Sequence, residues 1–154
     1  MKKMRLLAGL LLFAPIACQA KDPTAFSAAG MRLAPLSITT AAGQTHKFQV
    51  EVAATDAQQE RGLMFRPTLA PDAGMIFPMK PARFATFWMK NTLIPLDMVF
   101  IRADGRIARI AAQTVPYSLM PVDSGEPVAA VLELAGGRAA ELGIAPGDRV
   151  RWQP

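Results

Sequence analysis

Three polar residues, Lys90, Asn91 and Asp97, stand in a run over residues 84–100 that is otherwise almost entirely apolar. Polar groups set among residues that should be buried must find partners, so they either organise a core or form a site. Glu133 repeats the pattern inside the apolar run 128–134, and Arg61 adds a second cation. As a pocket, Lys90 and Arg61 would supply charge, Asn91 an orienting amide, and Met64, Trp88 and Met89 the walls, because ligand sites are mostly apolar with a few convergent polar groups. The site would lie where residues 88–92 meet residues 61–64, beneath a loop at 113–127. As chemistry, Asp97 and Glu133 could form an acid–base pair with Lys90 as electrostatic partner. As architecture, the same two acids would be counter-ions of Arg61 and Lys90 in a buried network, and Asn91 would tie down the loop to Pro95. Charge balance favours counter-ions over catalysis.

Other chemistries lack their residues. The chain has one His and one Cys, so a Cys/His zinc site is excluded and Ser–His–Asp machinery would have to use His46. Met31, Met64, Met75, Met79, Met89, Met98 and Met120 invite a thioether copper site, but they are scattered, and core filling accounts for them better. Gly136, Gly137 and Gly143 fit no phosphate loop. No metal and no cofactor is expected.

Periodicity supplies the elements. Residues 46–54 alternate as a half-buried strand, with Phe48, Val50 and Val52 inward. Thr55 and Gln58 form a capping box opening a short helix that Gly62 stops. Residues 74–79 and 84–90 read as strands, and 96–101 as a strand covered on both faces. Asp104-Gly105 marks a hairpin returning over 106–112. Three prolines predict an irregular loop over 113–127. A buried strand at 128–134, a helical turn at 137–142, a type II turn at 145–148 and a last strand at 149–153 complete the chain. Without a strand–long helix–strand rhythm, a doubly wound sheet is not expected. The fold class is mostly β (α+β): compact, largely antiparallel, a barrel-like or folded sheet with two short helices.

The N-terminus reads as a signal peptide over residues 1–20: a basic start, an apolar stretch too short to span a bilayer, and Cys18-Gln19-Ala20 before the cut. Lipidation of Cys18 is the alternative, weakened by Pro15. Residues 21–36 read as a flexible tether, and 37–154 as one globular domain. Leaving out Lys2, Lys3 and Arg5 lowers 17 basic side chains to 14 against 12 acidic ones, so the net charge falls from +5 to +2. That is no basis for a nucleic-acid partner, which needs a clustered basic face. No later stretch could span a membrane, and the chain is expected to be exported to the periplasm or beyond.

Arg61-Gly62-Leu63-Met64, Gly74-Met75-Ile76-Phe77, Trp88-Met89-Lys90-Asn91-Thr92 and Leu96-Asp97 follow one another in an order that resembles a bacterial and archaeal domain family of unknown function, number 192. Residues 131–137 and 143–148 resemble its C-terminal signature, and the likeness spans roughly 38–152. Resembling members are small exported proteins, and the resemblance implies no reaction. Three functions stay open: an exported binding or accessory domain for a small molecule, or for an acidic or polar envelope component; an enzyme using Asp97 or Glu133; and a structural or interaction module. The balance is against an enzyme.

Overall fold

The structure is a computed structural model that describes residues 25–153. The expected signal peptide, the Cys18 alternative and residues 21–24 of the expected tether lie outside the described residues. Nine strands and two short helices follow in the order β1 (Leu33–Thr39), β2 (Thr45–Val52), α1 (Asp56–Arg61), β3 (Ala73–Arg83), β4 (Thr86–Phe87), β5 (Leu96–Ile101), β6 (Ile107–Thr114), β7 (Val122–Asp123), β8 (Val128–Ala135), α2 (Arg138–Glu141) and β9 (Arg149–Trp152). Seven strands form one sheet in the order β6-β5-β8-β3-β2-β1-β9, and β4 pairs with β7 apart from it. Every pairing is antiparallel except β2 with β3, whose parallel crossover is the segment carrying α1.

The sheet folds around one core. Leu36, Phe48, Ile76, Val99, Ile107, Leu132 and Val150 belong to a single buried cluster, so all seven strands contribute to it. The outer strands approach each other at an isolated bridge between Arg106 and Arg149, where Ile107 N–H donates to the Asp148 carbonyl at 2.9 Å. Beyond that contact the sheet stays open and is a folded sheet rather than a closed barrel. A second cluster covers the opposite face and includes Leu63, Phe77, Met89, Met98, Phe100 and Val131. Strand β5, buried at every position, divides its side chains between the two clusters, as expected for a strand covered on both faces. Five methionines (Met31, Met75, Met79, Met89 and Met98) pack in the second cluster, where an unbranched, polarisable side chain fills irregular gaps.

The local signals act as their chemistry dictates. Thr55 Oγ1 accepts from Gln58 N–H at 3.3 Å while Gln58 Oε1 accepts from Thr55 N–H at 3.0 Å, closing the capping box of α1. Gly105, at φ 79, turns the β5–β6 hairpin. Asp148 N–H donates to the Ala145 carbonyl at 3.2 Å with Gly147 at φ 94, as a type II turn requires.

Three expectations change. Strand β1 begins at Leu33, so residues 33–36 pair with β2 instead of forming part of a tether. Residues 84–90 are not a long strand: only Thr86 and Phe87 pair, with β7. The backbone there is held by the facing loop, through Ala85 N–H to Ser124 Oγ at 3.0 Å and Met89 N–H to the Ser118 carbonyl at 2.9 Å. The segment 113–127 is correspondingly less irregular than its prolines suggest, since it ends β6 and contributes β7. No described helix is long and apolar enough to cross a membrane.

Asp97 ties the far ends of three elements together. Its side chain is fully buried. One carboxylate oxygen accepts from Gln113 N–H at 2.8 Å and Gly137 N–H at 2.9 Å, and the other from Ala139 N–H at 2.8 Å. Gly137 is the N-cap of α2 and has no side chain to cap with, so Asp97 on β5 does that work from another strand. Asp97→Asn would leave the Ala139 N–H facing an amide and remove the charge. Because charged hydrogen bonds contribute about 1.5–3 kcal/mol each, we expect a loss of about 2–4 kcal/mol in urea unfolding, and an unchanged midpoint would contradict this role.

Candidate functional site

Glu133 sits on β8, between β5 and β3 in the sheet, directly opposite Met98 on one side and Met75 on the other. Neither neighbour offers a hydrogen to a carboxylate. The residue is 4% exposed and lines a cleft, and no protein hydrogen bond to its carboxyl is found among the described residues, where His46 Nε2 is the one fully buried side-chain polar atom without a partner. Burial raises its pKa from 4.5 to about 8. At neutral pH the empty site therefore holds mostly a protonated carboxyl.

The carboxyl opens into a cleft of about 280 Å³. One wall is the C-terminal half of α1 and the turn after it, through Arg61, Leu63 and Met64; the other is the segment from Phe84 to Trp88. Phe77 and Met79 of β3 lie between them, and Thr92 closes one end. Phe77 and Phe87 meet edge to face at 5.1 Å. Arg61 and Arg83 line the cleft from exposed positions, and neither forms an ion pair among the described residues. A wider hollow of about 610 Å³ lies over β1, β2 and β9 beside Lys47 and Trp152, but the buried partnerless acid is in the smaller one.

Of the eight residues singled out from sequence, Arg61, Met64, Trp88 and Glu133 line this cleft, and the other four do not. Met89 is buried behind the wall, where its sulfur accepts from Thr114 Oγ1 at 3.1 Å. Lys90 points to solvent, its ammonium 5.1 Å from the centre of the Trp88 ring. Asn91 is a turn residue at φ 54 whose carbonyl accepts from Phe65 N–H at 2.8 Å and whose amide reaches Met64 sulfur at 3.9 Å. Asp97 belongs to the other face of the sheet. Its cross-strand partner Leu134 packs in the first cluster, whereas Val131, on the Glu133 side, packs in the second.

That geometry corrects the expected pairings. Two carboxylates on opposite faces of one sheet cannot act as an acid–base pair. No ion pair joins Arg61, Lys90, Asp97 and Glu133 among the described residues, so the buried network is not formed either. The buried ion pair of this end is one the sequence reading missed. Arg66 grips Glu51 with both guanidinium nitrogens, at 2.5 and 3.2 Å. Phe77, Phe87 and Arg83 were also missed as cleft residues, whereas Thr92 lies in the segment 88–92 where the site was expected. Gly74-Met75-Ile76-Phe77 and Thr92 stood within recognisable motifs, but nothing in sequence says that they meet.

Backbone strain gathers at the same end of the molecule. Phe65, Asn91, Gln113 and Tyr117 all have positive φ without being glycine. Phe65 N–H reaches the Asn91 carbonyl, and Tyr117 N–H reaches the Thr92 carbonyl at 3.1 Å, so three of the four bind one another's loops. Such residues persist where the surroundings over-determine them, and they concentrate at functional sites.

Comparison with known proteins gives a family and two close structures. The DUF192 family, described as uncharacterized ACR, matches residues 37–152. No functionally curated protein matches the chain significantly. A crystal structure of a protein of unknown function from Novosphingobium aromaticivorans DSM 12444 is 45% identical, with a TM-score of 0.82, covering 91% of this chain and 99% of that one. A protein from Sinorhizobium meliloti 1021, provisionally named a transcription regulator, is 46% identical, with a TM-score of 0.78, covering 79% of this chain and 95% of that one.

The raised pKa of Glu133 predicts a pH-dependent stability. Between about 4.5 and about 8 the native state holds a proton on this carboxyl that the unfolded chain releases. Stability therefore falls as pH rises through that window and levels off above it. From about 1.4 kcal/mol per pKa unit, the drop is on the order of 3–5 kcal/mol. Urea unfolding at pH 5, 7 and 9 should show this slope in the parent protein and a much flatter one in Glu133→Gln. Equal slopes would show that the carboxyl is not held protonated.

Proposed function

We propose, for a chain that belongs to the DUF192 family, whose activity is unknown, that it is a small binding or accessory module whose ligand enters the cleft above Glu133. The observation that carries this reading is a glutamate only 4% exposed, with no protein hydrogen-bond partner for its carboxyl among the described residues, that lines a cleft of mixed aromatic and polar side chains. A buried polar group left without a partner costs stability, and a ligand that satisfies it recovers that cost on binding. The ligand is polar at its inner end. Arg61 and Arg83 at the cleft would favour an acid group at its outer end, in keeping with an envelope component. The basic start and apolar run of residues 1–20 support export to the periplasm or the extracellular space. A nucleic-acid role has less support: without those residues the net charge is +2, and the cleft carries acids as well as arginines rather than a clustered basic face.

The catalytic alternative narrows to Glu133. Its pKa of about 8 would suit a general acid or base near neutral pH, whereas Asp97 is committed to three backbone donors. It would appear as turnover of a cleft-bound molecule that Glu133→Gln abolishes.

Methyl NMR on methionine-labelled protein tests the binding reading. Small polar molecules that bind should shift Met64 and Met79, which line the cleft, and leave Met120 unmoved. Trp88→Ala should weaken them about tenfold, the loss of one aromatic wall. Binders that shift only residues beside Lys47 and Trp152, or no binders at all, would leave the structural-module reading in its place.

A further inference from the structure

We infer that the cleft takes a zwitterion of the amino-acid kind: a primary ammonium group donating to the Glu133 carboxylate at the floor, an apolar body against the aromatic wall, and an acid group at the mouth between Arg61 and Arg83. This rests on the binding reading above and names the class of ligand.

The floor decides the inner group. An ionised carboxylate accepts at two oxygens and donates nothing, and the described residues give Glu133 no donor. The amide and hydroxyl donors that line the cleft are already engaged. The Gln59 amide donates to the Ala53 and Pro78 carbonyls at 3.2 and 3.1 Å, Thr92 Oγ1 to the Lys90 carbonyl at 3.2 Å, and Thr86 Oγ1 to Asp123 at 2.6 Å. A ligand that pairs with the ionised form must bring its own hydrogens. A hydroxyl would bring one, whereas an ammonium brings three together with the charge that makes ionised Glu133 tolerable in its apolar surroundings. The wall is suited to a cation as well. Phe77, Phe87 and Trp88 present aromatic rings, and Trp88 already holds the Lys90 ammonium 5.1 Å from its ring centre on the solvent side.

The mouth decides the outer group. Arg61 and Arg83 line the cleft with no acidic partner among the described residues, while the other described ion pairs engage Arg66, Arg102, Arg106 and Arg138. Guanidinium groups free of a carboxylate of their own suit a planar acid group from a ligand. The acidic Glu60 also lines the cleft, so the mouth is not uniformly positive and favours an oriented molecule over a simple anion.

Protonation provides the signature. Because the empty carboxyl is largely protonated at pH 7, an ammonium ligand must expel that proton to form the ion pair. Titration calorimetry of the intact protein at pH 7, in two buffers of different ionisation heat, reads this directly. The probes are 4-(aminomethyl)benzoate, benzylamine, benzyl alcohol and benzoate. The expected order of affinity is zwitterion, then amine, with the alcohol and the acid at least tenfold weaker. The two amines should release close to one proton per molecule bound. Glu133→Gln should weaken both amines at least tenfold and abolish the release. Arg61→Ala with Arg83→Ala should bring the zwitterion's affinity down to that of benzylamine. Amine binding without proton release in the parent protein would overturn the proposal even if Glu133→Gln failed to fold. If the alcohol or benzoate binds as well as the amines while shifting Met64 and Met79, the ligand class is wrong and the cleft reading survives. If none of the four shifts those methyl groups, both fail.

Discussion

A carboxylate sealed inside a protein needs donors on its own side of the chain, and Asp97 finds three of them at places where the backbone would otherwise be left unsatisfied. It sits on β5, next to the edge strand β6, and reaches the end of β6 and the start of α2. A four-residue helix capped by glycine has little stability of its own, so its position depends on what accepts its first N–H groups. Gly136 beside it packs so closely on Pro95 that an added Cβ would come within 2.8 Å of the proline ring, which fixes the turn against the start of β5. The end of the sheet is therefore clamped from inside, and β8 is held in register between β5 and β3 by ladders on both sides.

That clamp places Glu133. Residues 97 and 133 are acids on adjacent antiparallel strands, offset by one position across the ladder, since Asp97 faces Leu134 and Met98 faces Glu133. One residue of offset is enough to send two side chains to opposite faces of a sheet. The two acids are chemically alike and have opposite fates. One meets three backbone donors, and the other meets two methionines and a cleft. Their difference lies in the partners that each face of the sheet provides.

The sequence was most informative where a short-range rule governs. The capping box at Thr55 and Gln58, the hairpin at Asp104-Gly105, the type II turn at Gly147 and the two-sided burial of residues 96–101 all depend on a few neighbouring residues, and each was readable. Strand β1 was lost because Leu33–Thr39 begins among small and proline residues and gains its identity by pairing with β2 and β9. For the site, half of the eight residues named from sequence line the cleft. Lys90 and Asn91 looked like site residues because they break an apolar run, yet they form a turn within it, and one points to solvent while the other shapes the backbone. Phe65, Gln113 and Tyr117 adopt left-handed conformations that nothing in their side chains favours, so no local rule could announce them.

Those strained residues bear on how the loops behind the cleft are held. The loops around the cleft direct their N–H groups at one another: Phe65 to the Asn91 carbonyl, Tyr117 to Thr92, Met89 to Ser118, and Ala85 to Ser124 Oγ. Each positive φ costs on the order of 1–3 kcal/mol, so the arrangement holds only because these mutual bonds and the packing beneath them outweigh that cost. Of these donors only Ala85 lines the cleft, and its N–H is spent on Ser124 Oγ. A looser wall could swing one N–H down onto Glu133 and quench it, much as Gln113, Gly137 and Ala139 quench Asp97. A rigid wall keeps the carboxyl unpaired and the cleft preformed, which lowers the ordering cost that a small ligand must overcome.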